Sequence, residues 1–397
     1  MRDVGGRGFA RSRVAVGLMV AIGLVAVGWL TLVGGRPSGM PAASTPASNG
    51  LIAYSFDGDI FVGDPVTGAT TAIVTGPKSH KNPIFSPDGT RIAFVSGDPG
   101  AGASIVVAMA DGSDERAVIP KGFSGLLGPF AWTPDGDSIV AEHDTSGRLS
   151  LFDAAGRSEP RLITPPLPTQ HGAIYFNPSA QQAPMFRPPN GDQILSTDWD
   201  AIDVFGADLR TTTPLARERL AEYEPYFVRW PTWSPDGAMI AFGLDLYDSA
   251  RNYLGSGGPE LFVMNADGSH ARKLGPGWFP LWSPDNRSIA YERWGPDLDQ
   301  PSPEIKIRII DVGSGSERVL DSTAAPVKFG ADVRTITWNE GHTWYYEGWQ
   351  WSPDGRSVLL LENHQTRPLL VDIATDRSTE MPWLADSNPS WQRITSA

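Results

Sequence analysis

Trp233-Ser234-Pro235-Asp236-Gly237 decides the fold of this 397-residue chain, because close relatives of it recur along the sequence. They are Phe85-Ser86-Pro87-Asp88-Gly89, Trp132-Thr133-Pro134-Asp135-Gly136, Trp282-Ser283-Pro284-Asp285-Asn286 and Trp351-Ser352-Pro353-Asp354-Gly355. Recurrence at roughly 40 to 50 residues marks a propeller or a solenoid. Each copy reads as a hairpin turn. Proline presets φ for the second turn position, serine suits the first, and glycine or asparagine tolerates the left-handed conformation that closes the turn. An apolar run follows each copy: Arg91–Val95, Ser138–Ala141, Ala238–Phe242, Ser288–Tyr291 and Ser357–Leu361. Short β-branched and aromatic runs of this kind predict buried strands.

Four strands, a to d, fit each repeat. The aromatic lies on a, the proline turn leads to b, and c is expected at Ser104–Met109, Leu149–Asp153, Glu260–Met264, Lys306–Asp311 and Pro368–Asp372. A brief d is expected at Ala117–Ile119, Arg161–Ile163, Arg272–Leu274 and Arg318–Leu320. The gap between Trp132 and Trp233 is about twice the usual spacing. Phe186-Arg187-Pro188-Pro189-Asn190-Gly191 with Gln193–Ser196 fills it as a degenerate copy. At the start, Leu51–Ser55, Asp59–Val62 and Thr71–Val74 look like b, c and d without an a; near the end, Asn388-Pro389-Ser390-Trp391-Gln392-Arg393-Ile394 looks like an a alone. Joining them closes a ring and removes exposed sheet edges. The expectation is an all-β propeller of seven four-stranded blades, or six if the copy at Phe186 is an insertion.

On these repeats the chain resembles the TolB-like β-propeller family of WD-type repeats, over about residues 50–395. The resemblance implies the fold. Its implication for function is broad, since related propellers are periplasmic binding proteins, non-catalytic caps of prolyl-oligopeptidase-like hydrolases, and occasionally lyases.

Composition agrees with a turn-rich protein: Gly 43, Pro 35 and 41% hydrophobic residues. There is no cysteine, which excludes disulfides, a thiolate nucleophile and a lipid-modified cysteine. Val14 to Gly35 holds no charged residue and is about as long as the roughly 20 residues that cross a bilayer. With Arg2, Arg7, Arg11 and Arg13 before it, the reading is a cytoplasmic basic tail at 1–13 and a transmembrane signal-anchor at 14–35. A flexible tether at 36–49 and an extracytoplasmic propeller domain at 50–397 follow. Cleavage near Pro41-Ala42-Ala43-Ser44 would give a secreted protein instead. Five arginines against Asp3 through Arg36 leave −17 on the rest of a chain of net charge −13. So acidic a body argues against nucleic acid, and the membrane is met through the N-terminal helix only.

The a-to-b and c-to-d turns share one face and are short. Long segments fall on the other face: Thr164–Ala183, Ala216–Arg229, Asp245–Pro259, Gly295–Pro303 and Ser322–Gly348. Function tends to reside in long loops on a rigid scaffold. The last of these carries Trp338, His342, Trp344, Tyr345 and Tyr346, a candidate platform for a protein or a cell-envelope glycan. Its bland alternative is a long strand a that buries alternate aromatics. Tyr223, Tyr226, Phe227 and Trp230 form a second cluster, for which core packing is favoured.

No G-x-S-x-G elbow or P-loop is present; Gly255-Ser256-Gly257-Gly258 lacks the P-loop lysine. Asp57-Gly58-Asp59 and Asp135-Gly136-Asp137 lack EF-hand spacing, and the histidines at 80, 143, 171, 270, 342 and 364 form no close metal pair. Neither a metal nor a cofactor is expected. The leading expectation is a non-enzymatic binding module. A carbohydrate hydrolase or lyase using acids such as Asp198, Asp200 and Asp203 in the funnel is the alternative, and a structural assembly protein is a third.

Overall fold

The computed structural model describes residues 47–97, 102–119, 130–142, 149–162, 186–189, 191–197, 202–206, 212–215, 220, 226–246, 259–294, 304–326, 348–361, 366–387 and 389–394. The apolar run 14–35 lies outside them, and no helix among the described residues is long and apolar enough to cross a membrane.

Strands form where short apolar runs stand between turn-formers, giving an all-β propeller. Strands β1 (Ser48–Phe56), β2 (Asp59–Gly63) and β3 (Thr70–Val74) belong to sheet I; β4 (His80–Phe85), β5 (Arg91–Ser96), β6 (Ser104–Met109) and β7 (Arg116–Ile119) form sheet II. Sheet III holds β8 (Ala131–Trp132), β9 (Ser138–Glu142), β10 (Leu149–Asp153) and β11 (Arg161–Leu162); sheet IV holds β12 (Gln193–Thr197), β13 (Ile202–Gly206) and β14 (Thr212–Leu215). Sheet V comprises β15 (Tyr226–Trp233), β16 (Met239–Leu246), β17 (Glu260–Asn265) and β18 (Arg272–Pro276). Sheet VI comprises β19 (Trp278–Trp282), β20 (Ser288–Trp294), β21 (Glu304–Asp311) and β22 (Glu317–Pro326). Sheet VII comprises β23 (Gly348–Trp351), β24 (Ser357–Leu361), β25 (Leu369–Asp372) and β26 (Arg377–Glu380). Finally β27 (Ser390–Ile394) pairs antiparallel with β1, Trp391 opposite Ile52, so the expected closure of the ring is present.

The described residues thus hold six four-stranded antiparallel sheets and one of three strands. The repeat predicts four strands in every sheet; in sheet IV only a single bridge, Phe186 to Ile194, stands at the position of strand a. Pro184, Pro188 and Pro189 lack the N–H groups that a ladder needs there. Buried clusters fill the space between successive sheets, from Phe85 and Phe94 against Ala53 and Ile60 to Leu359 and Leu361 against Ile52 and Trp391.

Three long segments expected as loops are shorter than the sequence suggests. β15 begins at Tyr226, β16 runs through Asp245 to Leu246, and β22 continues to Pro326. In the last case Ser322 and Thr323 look like loop residues but are held. The Ser322 hydroxyl donates to Asp376 Oδ1 at 2.7 Å, and the Ile307 amide donates to Thr323 Oγ1 at 2.9 Å.

Each proline turn consumes its own polar groups. Ser234 Oγ donates to Asp236 Oδ1 at 2.6 Å and accepts from the Met239 amide at 2.9 Å; the Ala238 amide donates to the same aspartate. Ser86, Thr133, Ser283 and Ser352 make the matching hydroxyl-to-aspartate bond. Adjacent turns are also tied together. Arg91 donates to the Gly136 carbonyl, Arg187 to Gly237 and Gln392 to Gly89, while the Asp236 amide donates to Asn286 Oδ1. Asn286 therefore serves twice, adopting φ 62 and capping its neighbour. At Gly237, φ is +67 and an added Cβ would collide with the Pro188 carbonyl.

The innermost strand of each sheet exposes an edge without a ladder partner, and the repeat aromatics supply donors for it. Trp132 Nε1 donates to Ile84 O at 3.0 Å, Trp282 Nε1 to Thr232 O at 3.3 Å and Trp351 Nε1 to Leu281 O at 3.1 Å. Each acceptor directly precedes the aromatic of an earlier repeat. At the outer rim, Arg116, Arg272 and Arg318 donate to carbonyls in the c-to-d turn of the next sheet, those of Ala155, Val312 and Ile373.

Two outcomes are expected. Trp132→Phe keeps most of the buried ring but leaves Ile84 O without its donor, and should cost about 1–3 kcal/mol in urea denaturation. The c-to-d turn carboxylates of Asp111, Asp153, Asp267 and Asp372 are held below their ordinary value by bonds from Ser113, Ala155, Ser269 and Thr375. A depressed folded pKa gives stability that is complete above the ordinary value, near pH 4, and is lost as pH falls through the folded one. Thermal melts from pH 6 to 2 should therefore show Tm dropping below about pH 4, with a shallower drop in Asp111→Ala.

Candidate functional site

Because the proline turns bond internally and to one another, their serines and aspartates are turn chemistry, as the sequence implies. Attention moves to the opposite face, where strand a enters and strand b leaves. Trp338, His342, Trp344, Tyr345 and Tyr346 lie outside the described residues, as do Tyr223, Asp198, Asp200, Gly255–Gly258 and the histidines at 143, 171 and 364. The described chain stops before that aromatic segment at Pro326 and resumes after it at Gly348, between sheets VI and VII. Asp203 stands on β13, which β12 separates from the inner edge.

The second aromatic cluster divides. Tyr226 is buried in the core with Trp233 and Phe242, as favoured. Phe227 is half-buried beneath the Arg229 guanidinium, 5.8 Å from its ring centre. Trp230 takes a different path. Its backbone has φ 46 and sits at a register shift in β15 between Arg229 and Thr232; Pro231 follows. Phe279, with φ 50 and Pro280 after it, occupies the matching shift in β19, and Asn82 with φ 53 and Pro83 occupies it in β4. Asparagine tolerates this conformation, whereas bulky side chains are genuine outliers there, at roughly 1–3 kcal/mol each. The Trp230 and Phe279 rings lie 4.2 Å apart at 47°, joining sheet V to sheet VI, and both are half-buried. No sequence signal marks these positions beyond the proline that follows each of them.

Behind this pair is a buried ion pair that the sequence reading missed. Arg229 Nε donates to Asp245 Oδ2 at 2.6 Å, with side chains 5% and 4% exposed. Burial pushes the Asp245 carboxyl up, and the Arg229 charge opposes the rise. One sheet further round, Glu292 on β20 is buried, and the Trp349 indole donates to it; burial raises its carboxyl to about 7. Both acids lie at strand-b ends on the long-loop face.

The two described histidines differ. His270 sits in a c-to-d turn beside Asn265 and Ser269. His80 is buried edge-on against Phe94, and among the described residues its Nδ1 has no hydrogen-bond partner. Burial lowers its pKa. It is neither a surface nor a fully satisfied histidine. Among the described residues no three His, Asp or Glu side chains group as metal ligands.

No family model matches the chain. It is similar to an uncharacterized peptidase, YuxL, of Bacillus subtilis (strain 168), 31% identical over 106 residues, which cover 26% of this chain and 16% of that protein. Among solved structures it is similar to TolB from Acinetobacter baumannii, 17% identical, with TM-score 0.46 over 86% of this chain and 81% of that one. It is also similar to the tricorn protease, 13% identical, with TM-score 0.52 over 91% of this chain and 36% of that one. The chain therefore spans well under two thirds of the tricorn protease and of YuxL. The likeness to the tricorn protease is one of fold alone.

The ion pair yields a clear expectation. Asp245→Ala removes the carboxylate partner of a buried guanidinium and should lower stability by about 3–5 kcal/mol in denaturant titration. Replacing both partners, with Arg229→Met and Asp245→Leu, should restore most of the loss.

Proposed function

We propose that the protein is a membrane-tethered, extracytoplasmic propeller that binds a protein or a cell-envelope glycan through its long-loop face. The apolar run 14–35 serves as the anchor, the basic tail 1–13 stays cytoplasmic, and residues 36–49 tether the propeller. In this reading sheet IV is completed by the segment around Phe186, making seven blades. Trp338, His342, Trp344, Tyr345 and Tyr346 supply the contact surface, beside the rim that carries Trp230 and Phe279. The observation that carries the proposal is the contrast between the proline turns and the inner strands. The proline-turn face spends its polar groups on turn-to-turn bonds, while within the inner strands two aromatics stand in costly backbone conformations. Strain of this sort persists where surrounding structure enforces it, often at ligand sites. An acidic body of −17 favours a neutral or basic partner.

The test is affinity capture from an envelope extract with residues 42–397, the larger compact unit, beside Trp338→Ala/Trp344→Ala/Tyr346→Ala. The wild type should retain a partner that the folded triple variant loses by about tenfold or more. Equal recovery by both would remove the aromatic segment from the site. A mature N-terminus near Ala43 would argue against the uncleaved anchor.

A further inference from the structure

Glu292 stands out among the buried groups because no charged side chain among the described residues answers it. It lies in the ladder between Trp278 on β19 and Ile307 on β21, and it is 7% exposed. Its side of sheet VI is the side that packs on sheet VII, through Ala290, Ile307, Ile309, Trp349, Trp351 and Leu360. Strands β23 and β24 have no titratable side chain to offer. On sheet VI itself, Tyr291, Arg293, Arg308 and Glu317 gather on the opposite side, toward sheet V, and by alternation Lys306 joins them. Lys306 is bonded to Asp321 at 2.9 Å. Arg318 and Asp376 belong to the VI–VII seam but sit at its outer rim, where they cap the Ile373 and Ala374 carbonyls and the Asp321 and Ser322 amides.

Ile289 opposite Trp282 corresponds to Val358 opposite Trp351, Ile240 opposite Trp233 and Ile92 opposite Phe85. Three residues on from each stand Glu292, Leu361, Gly243 and Val95. Sheet III carries an acid at the same place, Glu142, three residues after Ile139 opposite Trp132, whereas sheets II, V and VII put an apolar residue or none there. The described support of Glu292 is the Trp349 indole, which belongs to the sheet across the seam.

We propose that the seam between sheets VI and VII is a proton-operated switch, in which protonated Glu292 keeps the two sheets closed and its ionisation admits water and loosens β23. Ionising a carboxylate in an apolar seam is costly unless water reaches it. β23 is the element that yields, because it is four residues long and pairs only with β24 in the ladder. It is also the strand that the candidate binding segment enters, so the switch rests on the function proposed above for its biological use but not for its detection. The direction follows from linkage. A carboxyl raised in the folded state, here to about 7 from 4.5, favours the closed form at low pH, and the advantage is lost as pH rises through those values.

Hydrogen exchange of the ligand-free full chain tests this from pH 5.5 to 8.5. Amides of β5 serve as the internal reference for the intrinsic pH dependence of exchange. Protection of Gly348–Trp351 relative to β5 should fall about tenfold or more as pH rises from 5.5 to about 7, and level off above that. Glu292→Gln, which keeps the shape and an acceptor for Trp349, should hold that protection constant, and Glu292→Leu should do the same. A flat wild-type profile overturns the proposal, and so does an equal step in Glu292→Gln. Because no ligand is present, failure of the capture experiment leaves this result unaffected.

Discussion

The inner edge of every sheet poses the constraint that the rest of the molecule answers. A strand at that position has pairing partners on one side only, and its remaining backbone groups face a channel where neighbouring edges could otherwise pair. Indole N–H groups of Trp132, Trp282 and Trp351 reach an earlier repeat's innermost strand, and Ser390 Oγ accepts the Phe85 amide at 2.8 Å. The same three rings fill the space between sheets, so in those repeats one residue both packs the core and satisfies the edge. Turn-to-turn bonds and the outer arginines then fix the angle between sheets at two further radii.

Much of this is written plainly in the sequence. Strands after the proline turns, the c strands at Ser104–Met109 and Leu149–Asp153, and the union of Trp391 with the first strands all follow from pattern and turn chemistry. What the sequence hides, it hides for identifiable reasons. β26, Arg-Ser-Thr-Glu, is wholly exposed and has no apolar residue to betray it, yet it pairs with β25 along its length. Arg229 and Asp245 look like loop residues because each is charged; only their pairing across two strands explains their burial. The positive φ of Trp230 and Phe279 has no local signature beyond the proline that follows each, since it arises from a register shift that an aromatic does not prefer.

The functional reading is less legible than the fold, and the physics says why. Repeats advertise whatever every blade needs, whereas a binding site is the departure of a few blades from that pattern. Aromatics at a position where β4 has asparagine, and an acid where β24 has leucine, are departures of this kind. They become visible once the ladders align the positions. Trp230, Phe279 and Glu292 fall on sheets V and VI, and sheet III repeats the acid at Glu142.

The pairing of β27 with β1 also sets a schedule. Leu51 and Gln392 are bonded across 341 residues of chain, so during synthesis the first sheet waits for its inner strand through roughly 20 to 70 s of elongation. For that interval β1 is an uncovered edge of the sort that recruits strands from other molecules. The ring cannot be finished early from either direction, and the nascent chain stays an open spiral until its last strand emerges. Cellular yield of this protein should thus depend on how β1 is shielded in the meantime, a demand that falls on chaperones rather than on the stability of the finished ring.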